Sequence, residues 1–202
     1  MEILKLGRKD FDSQGKYIGK TDVSNYQGHI EIEENLGWVS FNSISATGYI
    51  FAKAGSGIEA GEGIKAGSGI KAGEGIEAGW GIEAGWGIEA GEGIKAGSGI
   101  EAGEGIKAGS GIEAGEGIVS GLSITCKLSL QFTTRLFAGI CWWRKLQDDS
   151  EKTVTCGKLI GGEVCYGVVV ETGIPNEQKT INLSGKEVEI KLDGNTYKAI
   201  IQ

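Results

Sequence analysis

The sequence predicts an all-β chain: a parallel β-solenoid built on six-residue repeats, with a small C-terminal β unit. Three observations predict it. Of 202 residues 37 are glycine, and 22 of these lie between Gly55 and Gly117. Over that stretch the chain repeats as A-G-x-G-I-z without a gap, the strict hexads spanning 54–118. Proline occurs once, at Pro175, which excludes collagen and polyproline segments.

The hexad spells out a geometry. Ile recurs at every sixth position from Ile58 to Ile118, and Ala follows two residues later from Ala60 to Ala114. Two positions apart on a strand share a face, so Ile and Ala point inward while the charged z residue points out. G-x-G then turns the chain, because glycine tolerates positive φ and has no Cβ to clash. A helix is disfavoured, since two glycines per hexad cost roughly 2 kcal/mol against alanine. Disorder fits poorly with an Ile in every hexad. Short strands separated by corners let neighbouring coils pair their backbones and stack Ile on Ile.

Charge selects the size of the coil. A 12-residue coil would stack Glu77, Glu89, Glu101 and Glu113 in one column of like charges, which cross-strand pairing disfavours. An 18-residue, three-sided coil gives Glu59, Glu77, Lys95 and Glu113, and mixes sign in the other columns too. The reading is therefore 18.

The beat extends beyond the strict hexads. Ile44-Ser45-Ala46 and Ile50-Phe51-Ala52 keep the inward step, and Ile118, Ile124 and Leu130 keep the spacing without glycine. The expected division is an N-terminal cap over 1–29, the solenoid over 30–143 and a β unit over 144–202. Within the last, Thr153–Leu159 and Val164–Val170 read as strands, and Asp193-Gly194-Asn195 reads as a hairpin turn.

Composition narrows the function. Net charge is −7, and residues 51–118 alone carry 11 Glu against 5 Lys. That argues against phosphate binding and suits a basic protein partner, such as a protein that itself holds nucleic acid. No direct nucleic acid and no membrane contact is expected, and a homo-oligomer is compatible with a solenoid. No run of 18 apolar residues and no signal-peptide core is present, so the expected location is the cytoplasm. Cys126, Cys141, Cys156 and Cys165 contain no C-x-x-C pair and read as small buried hydrophobes, not a zinc site. With one His, at residue 29, no Ser-His-Asp set can be assembled. The glycines spell no phosphate loop. No cofactor, no metal and no catalysis are expected.

The interruptions of the repeat mark the candidate binding residues. Trp80 and Trp86 are the only large residues at x, a corner position expected to face solvent. With Glu74, Glu77, Glu83 and Glu89 they read as one aromatic patch ringed by carboxylates. Trp142 and Trp143, beside Arg144 and Lys145, form a second candidate, for which core packing of at least one Trp is the favoured account.

In period and aliphatic ladder the hexads resemble the left-handed β-helix acyltransferases. That likeness implies a His base on the repeat, whereas His29 precedes it, so acyl transfer ranks third among the functions. The repeat is similar equally to the polymer-forming cytoskeletal β-solenoids such as bactofilins, which imply a structural or assembly role as the alternative. The layout as a whole resembles phage and other mobile-element proteins. It implies a non-catalytic inhibitor of a host nucleic-acid-guided nuclease, in the manner of anti-CRISPR proteins, acting in the host cytoplasm.

Overall fold

The computed structural model describes residues 1–174, together with the backbone of the strands Glu187–Leu192 and Asn195–Ile200. It is a parallel β-solenoid of about eight turns with a coil spacing of about 18 residues. Strand pairing divides each coil among three faces. The first face stacks nine strands, from Glu2–Leu6 through Ile70–Ala72, Ile88–Ala90 and Ile106–Ala108 to Val168–Glu171. The second contains Gly37–Phe41, Ser56–Ala60, Ile76–Ala78, Ile94–Ala96 and Ile112–Ala114. The third contains Ile44–Ala46, Ile64–Ala66, Ile82–Ala84, Ile100–Ala102 and Ile118–Ser120. The long strand Ser129–Ala138 turns the corner and serves both the second and third faces, pairing first with Ile112–Ala114 and then with Ile118–Ser120.

Every pairing in the strict repeat sets Ile beside Ile and Ala beside Ala, as in Ile82 with Ile64 and Ile100. These side chains fill the interior: the hexad Ile residues are at most 1% exposed and the Ala residues from Ala60 to Ala114 at most 3%, whereas Ala54, at the start of the repeat, is exposed. Each buried Ile contributes about 1.5–3 kcal/mol relative to exposure, repeated once per strand.

The glycines serve a different purpose from the expected one. None between Gly57 and Gly117 has positive φ; Gly55 at +72° and Gly37 at +70° do. What the first glycine of the hexads from Gly67 to Gly115 provides is close approach: a Cβ on Gly79 would overlap the Gly61 carbonyl oxygen of the coil before it. The second glycine is packed less tightly in the middle of the repeat, a Cβ on Gly81 lying 3.4 Å from the Gly99 oxygen, but towards the C-terminal end the space closes, to 2.9 Å at Gly111 and 2.8 Å at Gly117. Where the hexads lapse, that second column holds Trp38, paired in register with Gly57, and on the first face Tyr49, which precedes Ile50.

The stacking runs further in both directions than the expected 30–143 span. Glu2–Leu6 already pairs with Gly28–Ile32, and Leu6 is buried. After the loop 139–152, Thr153–Cys156 joins the first face, Lys158–Tyr166 pairs with Ser129–Ala138, and Val168–Glu171 closes the series. The added coil keeps aliphatic inward positions, with Val154 buried and Leu159, Val164 and Val169 packed against the core, but lacks glycine hexads. In the N-terminal segment Phe11 and Val23 are buried, and the Phe11, Tyr17 and Phe41 rings pack within 5.8 Å of one another.

Two cysteines fit the expected buried role, Cys126 and Cys156, whereas Cys165 is exposed and Cys141 half-buried. Both of those sit where the chain leaves the regular coil, in the loop and on the last turn. The strands Glu187–Leu192 and Asn195–Ile200 pair antiparallel, Leu192 opposite Asn195, and the Asp193-Gly194 step of the expected turn lies outside the described residues.

Candidate functional site

An 18-residue coil sends residues six apart to successive faces, and this separates the expected patch. Glu77 lies on the second face, Glu83 on the third and Glu89 on the first. Glu74 stands at the corner between the first and second faces, Trp80 between the second and third, and Trp86 between the third and first. The six residues encircle the solenoid once and do not form one surface.

Each Trp is instead grouped with residues of neighbouring coils. At its corner Trp80 lies between Glu62 and Ser98, its amide donating to the Glu62 carbonyl (2.9 Å) and its carbonyl accepting from Ser98 (2.8 Å). The next residue of that column is Glu116, whose amide bonds Ser98 at 3.0 Å. The indole is 63% exposed and borders a shallow third-face groove of about 380 Å³ with Glu62, Lys65, Glu83 and Glu101. Lys65 Nζ approaches Glu83 Oε1 to 2.8 Å, while Glu101 forms no ion pair among the described residues. Glu62 accepts a long 3.4 Å hydrogen bond from Asn42. Three carboxylates and one ammonium around an open indole make an acidic aromatic site. Glu62 and Glu101, absent from the sequence reading, stand 18 residues from Trp80 and Glu83. The coil length alone would have found them.

Trp86, 61% exposed, faces away from this site. It borders a larger first-face groove of about 660 Å³ with Tyr49, Phe51, Lys71, Glu89 and Lys107. There the charges are compensated: Glu89 lies 3.1 Å from Lys71 and 3.9 Å from Lys107. His29 closes one end. Its ring stacks on Tyr49 at 4.1 Å, and its Nδ1 accepts the Tyr49 amide at 3.0 Å, a structural role. The second face has its own tryptophan, Trp38, whose ring lies across Gly57 and Gly75.

Trp142 and Trp143 occupy the loop 139–152, and neither is a core residue. Trp142 is 87% exposed and Trp143 42%, the two rings meeting edge to face at 5.9 Å. Trp143 rests against Gly121 of the coil beneath. Arg144 fixes the loop by a two-pronged contact to Glu151, at 2.8 and 2.7 Å, and the Gln147 amide also donates to Glu151 (2.7 Å). The Arg144 hydrogen bonds, then that amide, hold the Glu151 carboxyl down at about 2. No family model matches the chain, and no curated protein or solved structure matches it either.

Proposed function

We propose that the chain is a non-catalytic binding protein whose third face docks a basic protein partner. The observation that carries this reading is Trp80, nearly two-thirds exposed in the corner column that also holds Glu62 and Glu116 and beside the column of Glu83 and Glu101. Tryptophan is enriched among the residues that dominate binding energy, because one rigid side chain buries a large area. Surrounding carboxylates steer a cationic partner and reject an anionic one. A stacked coil holds these groups at fixed spacing, so little ordering cost is left for binding. The partner that fits is a protein with a cationic nucleic-acid channel, and inhibition of a nucleic-acid-guided nuclease of a phage host is the specific form proposed.

The test is affinity capture from bacterial lysate with the native chain and with Trp80→Ala/Glu83→Lys/Glu101→Lys. The native chain is expected to retain a nucleic-acid-binding protein that added DNA or RNA displaces and that rising salt weakens. Equal retention by the triple variant would overturn the assignment of this face.

A further inference from the structure

The first face is complementary to itself. Its outward column reads Glu31, Phe51, Lys71, Glu89, Lys107, Thr125, each paired in register with the next. Two such faces laid together with their axes antiparallel keep column on column and reverse the order. With the two-fold axis between Lys71 and Glu89, Lys71 of one copy meets Glu89 of the other, and Phe51 meets Lys107, an aromatic face against an ammonium.

The neighbouring columns match in the same register. The glycine column runs Tyr49, Gly69, Gly87, Gly105, Ser123 through the carbonyls that each next Ile amide meets. Reversal sets Tyr49 opposite Gly105 of the other copy, a ring over a bare backbone. The corner column runs Gly48, Ser68, Trp86, Glu104, and reversal sets Trp86 opposite Ser68. The groove of about 660 Å³ on this face is the space that the opposing Tyr49 and Trp86 would enter. Neither other face matches as far. On the second, an axis between Glu77 and Lys95 sets Glu59 against Glu113, and Trp38 already lies over its glycines. On the third, an axis between Glu83 and Glu101 sets carboxylate on carboxylate.

We propose that the first face is the interface of an antiparallel homodimer, with a second copy of this chain as its occupant. The six coils from Glu31 to Thr125 measure about 24 Å along the axis, so the contact is smaller than the roughly 800 Å² per partner of standard interfaces. The dimer therefore forms and dissociates with concentration. It leaves the Trp80 corner at the apex opposite the interface, free for the proposed partner, and it stands or falls independently of that reading.

Sedimentation of the full chain over a concentration series tests it. The native chain is expected to shift from monomer to dimer. Lys71→Glu and Glu89→Lys each set like charges across the axis and are expected to weaken self-association at least tenfold. An equimolar mixture of the two variants restores both contacts and is expected to dimerise as the native chain does. Trp80→Ala is expected to leave self-association unchanged. A native chain that stays monomeric throughout, variants that self-associate as before, a mixture that does not recover, or loss of the dimer in Trp80→Ala would each overturn the proposal.

Discussion

Glu59 and Glu77 are direct neighbours in adjacent coils of the second face, with no cation between them. Lys95 pairs in register with Glu77 and Glu113 but does not reach Glu59, whose other neighbour is Ser40. Glu59→Lys removes the repulsion and places an ammonium beside Glu77. It is expected to stabilise the fold by about 0.2–1 kcal/mol, seen as a higher urea midpoint at unchanged slope. Lys95→Glu creates a run of four carboxylates and is expected to lower the midpoint. A ladder indifferent to both changes would mean that exposure to water screens the column completely.

The two glycines that flank Trp80 are expected to respond oppositely to alanine. Gly79→Ala forces a methyl group into the Gly61 carbonyl, and the rigid stacked coil has no slack to absorb it. The loss is expected to exceed about 3 kcal/mol, beyond what ordinary substitutions cost. Gly81→Ala meets only ordinary contact at 3.4 Å and restricts the unfolded chain, so a gain of about 0.4–1 kcal/mol is expected. Thermal unfolding of the pair decides it. Equal losses would show that both glycines are sterically required.

Much of the fold was legible because one hexad is written many times over. The alternation of Ile and Ala set the inward face, and Lys95 in an otherwise acidic column separated 18 residues per coil from 12. The continuation past 143 was hidden because Val154, Leu159 and Val164 keep the inward positions without glycine and resume only after the loop. Trp80 and Trp86 looked like a pair because six residues are close along a chain. On a three-sided coil six residues are one whole side, so the indoles face different grooves. The placement of Trp38 depends on a 19-residue step between Val39 and Ile58, which no regular beat announces.

The cysteines are expected to divide into two classes by reactivity. Burial pushes the Cys126 thiol up to about 12, with a smaller contribution from Cys156, and burial raises Cys156 as well. An unfolded thiol ionises near 8.5. The folded chain therefore holds Cys126 neutral where the unfolded chain releases a proton, and stability falls as pH rises from about 9 toward 12. Below pH 8 this group contributes no pH dependence. Mass-resolved alkylation at pH 8 is expected to modify exposed Cys165 first, and Cys126 and Cys156 only in denaturant. Rapid labelling of Cys126 in the native state would show that the coil opens locally at that point.

The loop that holds Trp142 and Trp143 is expected to loosen in acid. Glu151 titrates at about 2 in the folded chain, below the ordinary carboxylate value near 4.3, because Arg144 and the Gln147 amide bond its charged form. A depressed carboxylate contributes its stabilisation above the unfolded value and loses it as pH falls through the folded one. The hold on the loop is thus complete above about pH 4.5 and drains between there and about 2. Hydrogen exchange at the Gln147 amide reads this directly, after correction for the intrinsic pH dependence of exchange. Protection is expected to be level from pH 7 to about 4.5 and to decline below it, while Glu151→Gln, which keeps the shape but not the charge, is expected to be weakly protected throughout. Protection that persists in the variant would place the anchor elsewhere. The contact of Lys152 with Asp149 at 2.7 Å, on the same turn, would then be the group to examine.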